Sequence, residues 1–327
     1  MMNKTPRYLL ALSLSALALM GCENDSSKLY TKSVYGFSTF VEVKLYSEDK
    51  QDIEEVSNII ERYSTLCDPY LDSTGSIILY DVNHTSEELQ VSKELYDVLY
   101  LADSLKTKTN NYFSPYLFNV SELYKTNLPN GVVPSSDEVA SLLTEANNTS
   151  LSFREQDGAY YVKRNGNGQI DLGGIAKGAC LDALYDYFLE KGITNYLVSS
   201  QSSILLGEKK NATDGKYKVA IKDKTGTYFK LKNCGLATSS ISEQRYDING
   251  ITYSHIVNPK TGSAIAAHQT CIIKGPIDSN AELDAYATAF MNMSDDEIKA
   301  FVKDNDLGTM IIDGDDNYTI NLDAYAV

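Results

Sequence analysis

Three stretches carry side chains whose types and spacing can do chemistry. The first is QIDLGGIAKGACLDALYDYFLEKG (169–192), which reads as a buried strand end, a glycine turn at Gly173 and Gly174, and an amphipathic helix with Lys177 in its first turn. Such turns hold anions, because free N–H groups at a helix start point at the ligand and the helix dipole favours negative charge. It is not a Walker loop: Gly173 and Gly178 have the right separation, but Ala179 stands where the lysine belongs. Nor is it a G-x-G-x-x-G dinucleotide fingerprint. The same residues serve a packing role equally well, with glycines admitting close helix–strand contact and Lys177 as a solvated charge. Both readings stand at this level.

The second stretch, GLATSSISEQRYDINGITYSHIVNPKTGSAI (235–265), places His255 at a strand end, just before Asn-Pro and Thr-Gly turns. An imidazole of near-neutral pKa suits proton transfer, and a strand-end histidine equally suits a structural hydrogen bond. In the third, ELDAYATAF, Asp284 and Thr288 are four residues apart on a helix and project from one face. Carboxylate plus hydroxyl fits a hard cation such as Mg²⁺, which keeps waters and takes phosphate oxygens. The plainer alternative is an exposed aspartate and a threonine bonded within its own helix.

The elements that must position these groups follow from periodicity. YGFSTFVEVKLYS (35–47) alternates and reads as one strand, and QDIEEVSNIIERYSTL has helical spacing. Residues 91–108 form a second amphipathic helix, and a third begins at SSDEVASLL, where Ser135 or Ser136 caps and Glu138 lies in the first turn. Short strands are expected around 150–171, at TNYLVSS, at 215–232, at 251–257 and at 268–274. NAELDAYATAFMNM and SDDEIKAFVKD read as helices, and GTMIID and YTINL as the last strands. Strands and helices come in runs rather than in strict βαβ alternation, which predicts an α+β fold of mixed sheets and helices.

The N-terminal residues have Lys4 and Arg7, an apolar run from Tyr8 to Met20, and a Gly21-Cys22 junction. That is the pattern of a secretory signal, too short for a comfortable membrane span. Its L-M-G-C ending looks like a bacterial lipobox. This predicts a signal peptide over 1–21, lipidation at Cys22, a polar tether over 22–32 and a single domain over 33–327, held at the extracytoplasmic face of a membrane. The domain's length of about 295 residues suffices for a sizeable core. Cys67, Cys180, Cys234 and Cys271 are widely spaced, without a C-x-x-C pair, which excludes a cysteine metal cluster and leaves one or two disulfides open. A net charge of −15 excludes nucleic acid as a general partner, so any phosphate ligand must be held locally, by backbone and metal.

Taken in order, DLGGIAKG, ATSS…YSHIVNPKTG and DAYAT resemble the motif series of the ApbE family, the Mg²⁺-dependent FAD:protein FMN transferases. STFVEVKLY, GSIILYDVN and NYFSPYL extend the resemblance over essentially the whole chain after the tether. It implies a single α+β domain with a flavin cleft, and transfer of FMN from FAD to a threonine or serine hydroxyl of an acceptor redox flavoprotein outside the cytoplasm, releasing AMP. By the same resemblance, the Ala176 carbonyl, Asp284 and Thr288 hold Mg²⁺. Lys177, Gly173 and Gly174 lie beside the FAD, with Phe37, Phe113 and Ser114 among its contacts. Tyr70 is the candidate to stack on the isoalloxazine. His255 and Lys177 are the implied catalytic residues, with His255 taking the acceptor's proton.

The chain also departs from the family pattern. Phe37 stands for a methionine, Phe113-Ser114-Pro115 for Phe-Asp-Pro and Asn258 for an aspartate before Pro259. SSQSS (199–203) replaces Gly-Gly-Asp. These changes remove carboxylates and keep hydrogen-bonding capacity. They leave two alternatives to transfer: FAD hydrolysis to FMN and AMP at the same site, or a non-catalytic flavin-binding lipoprotein.

Overall fold

The computed structural model describes residues 27–72, 75–209 and 215–326. The signal peptide and Cys22 lie outside the described residues. The chain opens with strands β1 (Lys28–Gly36) and β2 (Thr39–Ser47), then α1 (Gln51–Leu66), α2 (Leu79–His84), β3 (Leu89–Val91) and α3 (Lys93–Lys108). Next come α4 (Phe118–Asn127), α5 (Ser136–Asn147), the hairpin β4 (Ser150–Gln156) and β5 (Ala159–Asn165), and α6 (Ala176–Lys191). Strands β6 (Tyr196–Ser199), β7 (Ser203–Leu206), β8 (Tyr217–Ala220), β9 (Thr227–Leu231), β10 (Cys234–Ser240), β11 (Arg245–Ile248), β12 (Ile251–Ser254) and β13 (Thr270–Gly275) follow. Helices α7 (Asn280–Phe290) and α8 (Asp295–Asp304) and strands β14 (Gly308–Asp313), β15 (Asp316–Ile320) and β16 (Ala324–Ala326) complete it.

An eight-stranded sheet in the order β1-β2-β6-β7-β10-β13-β14-β15 forms the frame, and every neighbouring pair in it is antiparallel. Alternation in β2 turns Val41, Val43 and Leu45 inward and Glu42 and Lys44 outward. The central strands TCIIKG and GTMIID read instead as apolar runs, because both of their faces are covered. Ile273 and Ile311 join the core under the helices, while Ile272, Met310 and Ile312 face the small sheet β16-β9-β8 across the other side. The helical layer is driven by stripes such as Ile53, Val56, Ile59, Ile60 and Tyr63 of α1, all buried at helical spacing. Serines 92, 135 and 294 cap α3, α5 and α8. The α+β class is as expected, and among the described residues no helix is long and apolar enough to cross a membrane.

Three expectations are corrected. The strand expected over 35–47 is a hairpin whose turn residues Phe37 and Ser38 have φ of 54° and 59°. Left-handed pairs there usually announce themselves by Asn or Gly, which are absent. Its first strand starts at Lys28, so ordered structure begins inside the stretch read as tether. The stretch Gln169–Leu172 is not a strand. Its main chain is satisfied by the buried side chain of Asn83, which accepts from Ile170 N at 2.7 Å and donates to Ile170 O at 2.8 Å, and by Pro115 O, which accepts from Asp171 N at 2.7 Å. The four described cysteines are free and buried, and burial raises their thiol pKa values, that of Cys67 to about 12, so they are not thiolates at neutral pH.

Candidate active site

Two helix starts meet back to back. Gly178, in the first turn of α6, donates its N–H to Asp284 Oδ2 at 2.7 Å, and Asn280 and Ala281, at the start of α7, donate theirs to Asp182 Oδ1 and Oδ2 at 2.7 and 2.9 Å. Each helix thus caps the other with a carboxylate, where the positive end of the helix dipole favours it. Ile175 precedes α6 and offers no cap of its own. Such proximity requires Gly178: a Cβ there would sit 2.2 Å from Asn280 O and 2.6 Å from the Ala281 Cα. Asp284 also accepts from Ser203 Oγ at 2.7 Å. Burial raises its pKa, opposed by the Lys177 charge and by the two donors. Thr288, one turn on, donates to Asp284 O at 3.1 Å and lies 3.5 Å from Ser239 Oγ.

The glycine turn leads into α6 through an aspartate turn, in which Asp171 Oδ1 accepts from Gly173 N at 2.7 Å. Gly174 lets Phe113 and Thr288 close in, since a Cβ would come within 3.1 Å and 3.2 Å of their side chains. His255 follows β12 directly, in a loop pinned by Ser254 N to Ala264 O at 2.8 Å and Asn258 N to Ser263 O at 2.8 Å. Burial lowers the pKa of His255, helped by the charge of Lys177 and opposed by Glu243 and a main-chain hydrogen bond to Gln244. Its Nδ1 is buried without a hydrogen-bond partner.

These residues line one cleft of about 280 Å³: Phe113, Ser114, Gly173, Gly174, Lys177, His255, Asp284 and Thr288 all contribute. A smaller cavity of about 190 Å³ lies on the other side of the turn, with Phe37, Tyr70 and Ala176 in its wall, and Asp171, Gly173 and Lys177 belong to both. The groups named from sequence are therefore gathered into two adjoining spaces divided by the glycine turn. Ala176 lines the smaller space, not the cleft that holds Asp284 and Thr288. Tyr70 is half-exposed, with Lys125 Nζ 4.4 Å from its ring centroid and a hydrogen bond to Glu122, so one face of its ring is already engaged.

Sequence reasoning missed Asp171, Ser202, Ser203 and Glu243, which line the cleft. Asp171 had a local signal, the D-x-G spacing of an aspartate turn; Ser203 and Glu243 arrive through tertiary packing alone. Of the departures from the family pattern, Ser114 faces the cleft, whereas Asn258 does not line it and accepts from Lys260 N at 2.9 Å in a turn. The other histidines are structural: His268 bridges Asp313 and Met293 O, and His84 stacks on Tyr80.

The residues present fit a hard cation. Asp284 is a buried carboxylate with one donor on each oxygen, at a cleft wall beside a threonine hydroxyl. Among the described residues no three His, Cys, Asp or Glu side chains cluster as a metal site, which leaves hydroxyl, carbonyl and water oxygens to complete a shell.

The family model described as the ApbE family matches residues 37–311. The FAD:protein FMN transferase of Treponema pallidum is 25% identical over 285 residues, covering 80% of this chain and 77% of that protein. The one of Chlamydia muridarum is 26% identical over 248 residues, covering 75% and 76%. The crystal structure of the ApbE protein of Thermotoga maritima superposes with a TM-score of 0.73 at 22% identity, covering 91% of this chain and 97% of that one.

Proposed function

The chain belongs to the ApbE family, and from that premise we propose that it is an FAD:protein FMN transferase, moving FMN from FAD to a threonine or serine hydroxyl of an acceptor flavoprotein outside the cytoplasm and releasing AMP. The observation that carries this reading is one cleft lined by a lysine, a buried carboxylate beside a hydroxyl, and a histidine whose Nδ1 has no partner. FAD spans the two spaces, with its ring system beside Phe37 and Tyr70 and its diphosphate in the main cleft. Lys177, in the wall common to both, neutralises phosphate charge that a protein of net charge −15 otherwise repels.

Asp284 and Thr288, with the Ala176 carbonyl at the turn, would hold Mg²⁺. When bound, that ion would supply neutralisation of the charge on the diphosphate oxygens. The buried, unpartnered Nδ1 of His255 is the atom left to accept the acceptor hydroxyl's proton. The hydroxyl oxygen then forms a bond to the FMN phosphorus while the P–O bond to AMP breaks. The lowered pKa of His255 keeps the ring neutral at pH 7, as a proton acceptor requires.

Purified protein with FAD and Mg²⁺ is assayed for AMP, with and without an acceptor flavoprotein. AMP that appears only with acceptor, stops with EDTA and returns with Mg²⁺ is the expected outcome. AMP without acceptor identifies a pyrophosphatase, and FAD binding with no AMP identifies a binding protein. Activity indifferent to chelator removes the metal from the mechanism.

A further inference from the structure

Ser202 stands in the turn between β6 and β7, inside the SSQSS segment that departs from the family pattern. Its backbone is fixed from both sides. Gln201 before it is held at a left-handed φ of 69°, Ser202 N donates to Ser200 O at 2.9 Å, and Ser202 O accepts from Thr238 N of β10 at 2.7 Å. The residue is only 7% exposed, yet its hydroxyl has no hydrogen-bond partner. Among the described residues five buried side-chain polar atoms lack one, and only Ser202 Oγ and His255 Nδ1 belong to residues lining the cleft. An unpartnered buried hydroxyl destabilises a fold, and in a cleft wall it marks a place where a ligand atom completes the bond.

The neighbouring residue says which part of the ligand. Ser203 Oγ donates to Asp284 Oδ1, so this turn lies against the carboxylate assigned to the metal and diphosphate. A hydroxyl can donate to a phosphate oxygen, whereas a carboxylate in its place could only accept and would repel. We propose that the Ser202 hydroxyl is a hydrogen-bond donor to the FAD diphosphate. The inference rests on the flavin reading above.

The test compares wild type, Ser202→Ala and Ser202→Gly for binding of FAD and of riboflavin, which lacks phosphate, by flavin fluorescence in the presence of Mg²⁺. Melting temperatures of the ligand-free proteins are taken alongside. In both variants the Kd for FAD is expected to rise roughly tenfold to a hundredfold, the usual worth of a hydrogen bond to a charged group. The riboflavin Kd should stay unchanged, and the ligand-free melting temperature should hold or rise, since an unsatisfied hydroxyl has gone. Unchanged FAD affinity overturns the proposal, as does an equal loss for riboflavin. A lowered melting temperature of the ligand-free variants assigns the hydroxyl to the fold and overturns it too. Wild type that binds neither flavin overturns the flavin reading itself, an outcome distinct from the others because they leave wild-type FAD binding intact.

Discussion

His255 and Asp284 show how differently a fold can treat two groups that face one cleft. Asp284 is tied on both oxygens, whereas His255 keeps Nδ1 buried and without a partner, as the proposed role of proton acceptor requires. His255→Asn should keep the fold and much of the FAD affinity, yet lose roughly a hundredfold to ten-thousandfold in FMN transfer, measured as AMP release per folded molecule. The pH profile adds an independent check. Because burial lowers the native pKa, the acid limb of the wild-type rate lies below the ordinary histidine value, and the variant should lack it. The sign for stability follows: as pH falls, the unfolded chain takes up the proton first, so the native state loses stability through His255 on the acid side. The variant's melting temperature should fall less steeply there. A destabilised variant with full turnover would instead make His255 a structural residue. At this scale the gathering of four groups was legible: Lys177, His255, Asp284 and Thr288, singled out by residue type, all line the cleft. Ser202 and Glu243 were not, because nothing local to a serine or a glutamate says which surface a turn will meet.

At the scale of elements the site depends on how α6 and α7 cap one another. Gly178→Ala inserts a methyl group against the main chain of Asn280 and Ala281, which cannot rotate away as a side chain would. The expected cost is about 1–3 kcal/mol of stability, read as a lower denaturation midpoint. FMN transfer should fall further than that loss explains, because the Gly178 N–H orienting Asp284 moves with the helix; activity intact at the permissive temperature would uncouple the helix contact from the site. Helix α1 was legible from spacing alone and α5 from its capping serine, because each sets a local pattern against one face of the core. The β1–β2 hairpin was not, since Phe37 and Ser38 adopt left-handed backbone without the residues that signal it. The run Gln169–Leu172 misled for a complementary reason. Its apolar pattern is that of a buried strand, but an asparagine side chain, distant in sequence, takes the place of a ladder partner.

For the whole molecule, the lipobox-like start leads us to propose that membrane attachment would depend on one atom, the Cys22 sulfur. If Cys22 carries the lipid, Cys22→Ser should leave the protein in the soluble fraction after cell breakage, since the polar residues that follow have no membrane affinity of their own. A variant that sediments with membranes as firmly as wild type would show the anchor to be elsewhere. The β1–β2 hairpin then acquires a meaning as a measure of reach. Six residue steps separate Cys22 from Lys28, at most about 21 Å of chain, and β1 carries the path roughly 27 Å further to the turn at Phe37, which is part of the wall beside Lys177. With Cys22 lipidated, that wall would stand on a leash of no more than about 50 Å. Under that reading an acceptor would have to present its hydroxyl inside a layer of that depth above the lipid.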